Sequence, residues 1–294
     1  MNVVITIPAY NEADTILQVV QEIKKVMSAS RYSYKILVVD DGSKDATAAL
    51  AKKAGAIVYS HPKNYGLAET FKTEIEQCLK LNADIIVHTD ADGQYPAGDI
   101  PKLIKEVENG TDLVLGSRLL GKIEEMPWIK RIGNKVFSKI ISGVARLRVY
   151  DSQTGFRAFT KEVASKIEIT SNFTYTQEQI IRAVRAKFSV KEIPIYFAKR
   201  KHGNSRLIKN PFDYALRATI SILRIYRDYE PLKFFWSVGG TFFIIGAAAG
   251  SWLLYLFLMY GSIGHVPLTI LSAVLMLIGV QIMLFGFLAD IMRR

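Results

Sequence analysis

The chain has 294 residues, half of them hydrophobic, a single cysteine and a net charge of +11. That composition excludes a disordered chain and allows a sizeable core with more than one structural unit. Cys78 alone excludes an intrachain disulfide and fits a reducing compartment, and with no recognisable nucleic-acid-binding motif the positive charge is expected to meet anionic lipid headgroups and phosphate-bearing substrates, not nucleic acid.

From the N-terminus, apolar β-rich runs alternate with helical patterns. Strands are predicted at Val3 to Ile7, Lys35 to Val39, Ile57 to Ser60, Ile85 to Thr89 and Leu113 to Gly116, with helices starting at Asp14, Asp45, Leu67 and Asp99. Met1 to Thr6 lacks a basic n-region and a cleavage site, so no secretory signal is expected. Continuous rather than alternating hydrophobicity predicts a mostly parallel sheet covered on both faces, an α/β fold. Ligands in such sheets bind beyond the carboxyl ends of the strands. The clusters Tyr10-Asn11-Glu12, Asp40-Asp41-Gly42-Ser43, Lys63-Asn64-Tyr65-Gly66 and Asp90-Ala91-Asp92 each follow a strand, so they are expected to converge on one edge.

Asp90 and Asp92 lie one residue apart where a buried strand opens into a loop. Two carboxylates held so close repel each other, and Mg²⁺ or Mn²⁺ relieves the repulsion while keeping coordination positions for a diphosphate. Gln94 adds an amide oxygen on the same turn. The alternative is a loop whose carboxylates cap the next helix, Gly98 to Asn109.

Beyond Gly116 the pattern predicts a helix over Ile129 to Ala145, a loop over Asp151 to Phe159, a helix over Thr176 to Lys187 and a strand over Val190 to Phe197. Arg118, Arg131, Arg157, Arg200, Lys201 and Arg206 fall in or beside loops, where a guanidinium grips phosphate bidentately; each taken singly reads sooner as a solvated charge, and only their company with the acidic loops shifts that. His61, His88 and His265 read as incidental, His88 as a core residue inside a strand. Cys78 needs no role.

From Pro211 to Asp228 a wheel gathers Phe212, Ala215, Leu216, Thr219, Ile222, Leu223 and Tyr226 on one face. This suits a membrane surface, with packing against a soluble domain as the alternative. No Lys, Arg, Asp or Glu occurs between Lys233 and Asp290, which fits two bilayer spans of about 20 residues, read as 234–260 and 268–289. Lys233 and Arg293-Arg294 flank them while the connecting turn has no Lys or Arg, so both ends and the catalytic part are expected in the cytoplasm. The expected organisation is a catalytic domain over 1–207, an amphipathic juxtamembrane helix over 208–233 and a transmembrane hairpin over 234–294. Two spans are also compatible with a homo-oligomer in the membrane.

The strings Ile7-Pro8-Ala9-Tyr10-Asn11-Glu12, Val38-Val39-Asp40-Asp41-Gly42-Ser43, Asp90-Ala91-Asp92-Gly93-Gln94 and Gly116-Ser117-Arg118 together resemble an inverting GT-A glycosyltransferase of family 2. With Thr154-Gly155-Phe156-Arg157, Arg200 to Arg206 and the terminal apolar pair, the chain is similar to the polyprenyl-phosphate glycosyltransferases, the dolichyl-phosphate mannose and glucose synthase group. The resemblance implies a Rossmann-like GT-A domain, a nucleotide-sugar donor and a polyprenyl phosphate acceptor. It places Pro8, Tyr10 and Glu12 at the nucleoside, Asp40 and Asp41 at base or ribose, and Asp90, Asp92 and Gln94 at the metal. It brings Arg118 and Arg131 to the acceptor phosphate and closes Arg200, His202, Ser205 and Arg206 over the donor diphosphate. Many relatives carry Lys where Arg206 stands, and arginine or an aromatic where His202 stands. Thr174-Tyr175-Thr176-Gln177-Glu178 also departs from the commoner mannose synthase wording, so GDP-mannose, UDP-glucose and UDP-N-acetylglucosamine all stay open. With no tryptophan between Trp128 and Trp236, the Gln-x-x-Arg-Trp signature of processive synthases is absent, which argues against chain elongation.

The chemistry expected is in-line attack by a lipid phosphate, with inversion at the anomeric carbon. A phosphate monoester, with its second pKa of about 6, is mostly dianionic at neutral pH and needs little help from a base. Transfer to a glycan or glycolipid hydroxyl would demand a carboxylate base, for which Asp90 or Asp92 is available. A membrane-anchored binding or scaffolding protein with a degenerate nucleotide site is the reading from another class.

Overall fold

The computed structural model describes residues 1–170, 175–200, 211–262 and 265–292. Lys201, His202, Ser205, Arg206, Thr174 and Arg293-Arg294 lie outside the described residues, as do the side chains of Phe212, Ala215 and Leu216. The elements in order are β1 (Asn2–Ala9), α1 (Ile16–Ser28), β2 (Ser33–Asp40), α2 (Thr47–Lys53), β3 (Ile57–Ser60), α3 (Leu67–Lys80), β4 (Ile85–His88), a 3₁₀ turn (Ala97–Asp99), α4 (Ile100–Glu108), β5 (Leu113–Ile123), α5 (Trp128–Ala145), β6 (Arg157–Thr160), α6 (Lys161–Lys166), α7 (Tyr175–Arg185), β7 (Val190–Phe197), α8 (Pro211–Tyr229), α9 (Pro231–Tyr260) and α10 (Val266–Ile291).

Seven strands form one sheet in the order β3-β2-β1-β4-β6-β5-β7. All pairs are parallel except those of β6, which runs antiparallel between β4 and β5. The sheet is thus mostly parallel, as the continuous hydrophobicity of its strands predicts. The expected loop over Asp151 to Phe159 therefore ends as a strand: β6 has only four residues and starts with an arginine, too little pattern to read as β from sequence.

Side chains alternate across β1. Val3, Ile5 and Ile7 join Ile16, Val20 and Ile23 of α1 and Leu103 and Ile104 of α4 in one continuous core. Thr6 takes the opposite face and donates to Glu74 of α3 at 3.0 Å. In α1 the buried set Ile16, Val19, Val20, Ile23 and Met27 follows the 3.6-residue period. Cβ branching in β1, β2 and β4 and helices on both faces leave most of these strands buried, and Asp40-Asp41 and Asp90-Ala91-Asp92 stand where the chain leaves the core at the carboxyl ends of β2 and β4.

The chain divides into two compact units, Met1–Tyr214 and Ala215–Arg294. In the second, α9 and α10 are both long and apolar enough to cross a membrane. They run somewhat beyond the predicted spans, with Pro231 in the first turn of α9 and Pro267 in that of α10, and α10 continuing through Asp290 to Ile291. Small residues let them approach: a Cβ at Gly239 would stand 2.5 Å from the carbonyl oxygen of Gly279, and Ser272 Oγ donates to Gly246 O at 2.8 Å. In α8, Ile225 is buried while Thr219, Ile220 and Leu223 are exposed.

Candidate active site

The four polar clusters do converge beyond the carboxyl ends of the strands. Asn11 stands at φ +51, and its N–H donates to Ser43 Oγ at 2.8 Å while its Oδ1 accepts from Lys44 N at 2.8 Å. Glu12 N donates to Thr47 Oγ1 at 2.8 Å. These bonds stitch the loop after β1 to the loop after β2, leaving Tyr10 and Glu12 half-buried along the seam. Pro8 lies buried within β1, opposite Val39.

Asp40 and Asp41 are both buried. Asp40 Oδ1 accepts from Ser43 N at 3.2 Å. Asp41 holds the third loop: Oδ1 accepts from Tyr65 N at 2.9 Å and lies 2.8 Å from His61 Nδ1, and Oδ2 accepts from Gly66 N at 2.9 Å. His61 Nε2 continues to Thr73 Oγ1 at 2.9 Å. Read as incidental from sequence, His61 is the inner partner of a site carboxylate. Gly42 makes the crossing of the two loops feasible, since at φ +70 its missing Cβ would lie 2.5 Å from the Lys63 carbonyl carbon.

Beyond β4, Asp92 Oδ1 accepts from Gln94 N at 3.0 Å, which folds the acidic turn, and Asp92 Oδ2 pairs with Arg200. Gln94 is tied to the chain after β7, donating through Nε2 to Ala198 O at 3.1 Å and accepting at its own carbonyl from Ala198 N at 2.8 Å. The Asp92 carboxylate is taken up by Gln94 N and Arg200, and the residues that precede the 3₁₀ turn and α4, Pro96 and Asp99, make no side-chain capping bond of their own. The capping alternative is thus set aside. Asp90, half-buried, has its carboxyl pushed up to about 6, first by desolvation and then by the charge of Asp92, with His88 and Arg118 pulling the other way.

Arg118 is gripped by buried Asp151 in a fork, Nε to Oδ2 at 2.7 Å and Nη2 to Oδ1 at 2.8 Å, and its backbone N–H adds a bond to Oδ2 at 3.0 Å. Asp151 is itself located by Glu192, which accepts from the Tyr150 and Asp151 amides at 2.7 and 2.8 Å. Lys130, at the start of α5, is half-buried, and burial followed by the charges of Arg200 and Arg118 holds its amine below the usual range. Three cations therefore crowd one side of the acidic turn. Arg131 is exposed on the outer side of α5, whereas Lys130 beside it is half-buried and feels the charges of Arg200 and Arg118. Arg157, expected in a loop, is in β6 and fully buried, donating to Thr176 O at 3.1 Å, to Gln179 Oε1 at 2.8 Å and to Thr154 O. Through these bonds it ties β6 to α7. Lys130 and Asp151 were not legible as site residues, because what gathers them is the insertion of β6 and the entry of α5, with no local signal in their own segments; Gly155, part of the Thr154 to Arg157 string, adjoins Asp90.

The donor set suits a divalent cation of the Mg²⁺ or Mn²⁺ type. Asp90 and Asp92 are hard oxygen ligands whose mutual repulsion is already visible in the raised Asp90 carboxyl. Among the described residues no three His, Cys, Asp or Glu side chains converge on a point. An ion of this type can be held by one or two carboxylates and completed by substrate phosphate and water.

The family model for glycosyl transferase family 2 matches residues 4–168. The chain belongs to that family. This glycosyltransferase is 30% identical over 217 residues to a dolichyl-phosphate hexose transferase of Haloferax volcanii, covering 74% of this chain and 90% of the relative. It is 30% identical over 273 residues to a dolichol-phosphate mannosyltransferase of Pyrococcus furiosus, covering 89% and 74%. Its fold is shared with glucosyl-3-phosphoglycerate synthase of Mycobacterium tuberculosis, solved with Mn²⁺, uridine diphosphate and phosphoglyceric acid, at a TM-score of 0.60 and 17% identity over 76% of this chain and 77% of that one.

Proposed function

We propose that this glycosyltransferase moves a hexose-type sugar from a nucleotide-sugar to a polyprenyl or dolichyl phosphate, with inversion and with a divalent cation. One observation carries the reading: the acidic turn at Asp90 and Asp92 is bordered by Arg118, Lys130 and Arg200, so a cation site and a basic wall meet at one strand end. The relatives' names support the lipid phosphate as acceptor.

The loops after β1 and β2 would take the nucleoside, with Tyr10, Glu12 and Asp40 on their seam. Asp90 and Asp92, with the Gln94 amide oxygen, would hold the cation, which when bound neutralises charge developing on the leaving diphosphate. Arg200 would hand its guanidinium from Asp92 to that diphosphate. Lys130 and Arg118, preorganised by Asp151, would attract the acceptor phosphate and orient its oxygen toward the anomeric carbon. In this scheme no side chain has to remove a proton, since the nucleophile is already an oxyanion.

The deciding experiment offers GDP-mannose, UDP-glucose and UDP-N-acetylglucosamine to the purified, lipid-reconstituted chain with a polyprenyl phosphate. We expect one donor to give a lipid product that mild acid releases as free sugar. Absence of such a product with all three removes the reading. Transfer to a glycan or glycolipid hydroxyl is favoured by a single feature, the Asp90 carboxyl lifted to about 6, which suits a general base. An acid-stable product would select it.

A further inference from the structure

From residue 234 to 289 the chain carries no Lys, Arg, Asp or Glu, and Gln281 is its only Asn or Gln. Gln281 lies in α10, nine residues before Asp290. At 1.5 Å per residue that is about 14 Å into the helix, near the middle of a hydrocarbon core about 30 Å thick. The side chain is exposed, and its amide makes no hydrogen bond among the described residues. Hydroxyls of the hairpin find acceptors close by: Ser237, Thr241 and Thr269 turn back onto carbonyls of their own helices, and Ser272 reaches Gly246. Gln281 has no such recourse within the hairpin. Helix α10 meets α9 through Ser272, Gly279 and Gly286, and at about 100° per residue Gln281 lies roughly 160° around the helix from Gly279. An amide left without a partner in hydrocarbon is costly, so this side of α10 calls for a covering group that can hydrogen-bond.

The neighbours of Gln281 on that side are spaced regularly. Ile270, Val274, Leu277, Gln281, Leu284 and Leu288 succeed one another at steps of four, three, four, three and four, and all are exposed. Their order is that of a heptad seam, apolar at five positions with an amide at the sixth. We infer that this seam pairs with the same seam of a second copy of the chain, as two parallel α10 helices inside the bilayer with their Gln281 side chains bonded to each other. Three features select a second copy. Copies of one sequence insert with one orientation, so their α10 helices run parallel and Gln281 meets Gln281 at the same depth. A primary amide both donates and accepts, so two of them related by a two-fold axis satisfy one another, whereas a lipid tail or an isoprenoid chain has neither donor nor acceptor there. A 3.5-residue period is what sustained left-handed packing of two helices requires, and contact with lipid imposes no such period. A single polar residue within the seam then fixes register and partner number. This pairing is independent of the donor and acceptor proposed above.

The test uses the full chain in phosphatidylcholine vesicles, in a Cys78→Ala background that leaves no other thiol. Leu284→Cys and Leu288→Cys each place a thiol in the seam, and Ile244→Cys places one on an exposed part of α9. On oxidation with copper phenanthroline we expect at least one of the seam variants to run mostly as a disulfide-linked pair and the α9 variant to stay single. Linkage at neither seam position, or equal linkage at all three, overturns the inference. For stoichiometry, the chain is labelled through Glu76→Cys on α3 and counted by single-molecule photobleaching. Two steps are expected at moderate dilution in lipid. Single steps at every protein-to-lipid ratio overturn the pairing, and so do three or more, which would mean that the seam closes a larger ring. Gln281→Leu keeps an apolar side chain of similar length in the span, so it inserts and folds without the amide. Its association in the membrane should weaken about fivefold, and Gln281→Asn should stay close to wild type. A leucine variant that pairs as wild type does would show that the amide does not hold the pair, which overturns the inference as well.

Discussion

A Cβ at position 155 would stand 2.9 Å from Asp90 Oδ1, so Gly155 and Asp90 adjoin with no space for a side chain between them. The loop entering β6 is the wall against which the acidic turn is set, and Tyr95 braces it, its hydroxyl accepting from Gly155 N at 3.3 Å and its ring stacked on Phe156 at 5.2 Å. Gly155→Ala must push the Asp90 carboxylate aside, since the carboxylate is the end of a short side chain and the β6 backbone is fixed. We expect Mn²⁺ affinity in the presence of nucleotide to fall at least tenfold, with a loss of stability of only about 1 kcal/mol. Mn²⁺ titration followed by electron paramagnetic resonance, beside thermal denaturation, measures both, and wild-type Mn²⁺ affinity in this variant would disprove the link.

The Asp90 carboxyl gives a signed pH dependence. Its value in the fold, about 6, exceeds the unfolded value of about 3.9, so the cation-free fold favours the protonated acid. The associated stability is full below about pH 4 and is lost as pH rises through 6. Asp90→Asn removes that loss. Without cation, the stability of the Asn variant relative to wild type should therefore grow between pH 4 and 7 and then level off. Parallel curves for the two proteins would mean that Asp90 does not titrate there. Cation binding has the opposite sign, since ligation needs the ionised carboxylate, and affinity should weaken as pH falls through about 6.

Arg118 cannot be probed cleanly by alanine. Removing it leaves Asp151 charged, buried and unpaired, a loss of about 3–5 kcal/mol that would obscure any effect on catalysis. Arg118→Lys keeps the charge but cannot reproduce the fork. We expect it to fold with a moderate stability loss, to bind nucleotide as wild type does, and to show a clearly raised KM for polyprenyl phosphate. Weakened nucleotide binding with an unchanged acceptor KM would move Arg118 to the donor side.

The sequence exposes the strands most clearly. Val3 to Ile7 and Ile85 to Thr89 are mostly apolar because both sheet faces are covered, and the polar clusters that follow them, Tyr10-Asn11-Glu12 and Asp90-Ala91-Asp92, are visible as soon as the runs are. What needs three dimensions is who stands opposite whom. Asp151 lies far along the chain from Arg118, and only the antiparallel entry of β6 makes them partners. Helix α5 is apolar around most of its circumference, so its periodicity does not say which of Phe137 or Ile132 is inside. His61 looks unremarkable beside Pro62 until Asp41 is seen at its ring.

Asp41 illustrates a site residue that acts through a loop. It accepts two backbone amides from Tyr65 and Gly66, charge-assisted bonds in a buried setting. Asp41→Asn weakens both and turns an amide toward at least one donor, for a loss of about 1–3 kcal/mol. Nucleotide affinity should fall with it, and His61→Ala should cause a smaller loss of the same kind, since the loop amides keep their acceptor. Urea denaturation and nucleotide titration of the two variants test the order; a His61 variant weaker than the Asp41 variant would reverse the assignment.

Arg200 and the cation compete for one carboxylate. In this structure Arg200 holds Asp92 Oδ2, so a cation approaching without donor must displace a guanidinium, whereas a donor diphosphate offers that guanidinium another partner. Two opposite effects follow from Arg200→Ala. Without nucleotide, Mn²⁺ should bind several-fold more tightly, because Asp92 is no longer neutralised. With nucleotide, the diphosphate loses a charge-assisted contact of about 1.5–3 kcal/mol, and donor affinity should fall at least tenfold. The pair of signs is the informative result: a variant that weakens both interactions would show Arg200 supporting the acidic turn instead of competing for it, and one that weakens neither would place Arg200 outside the chemistry.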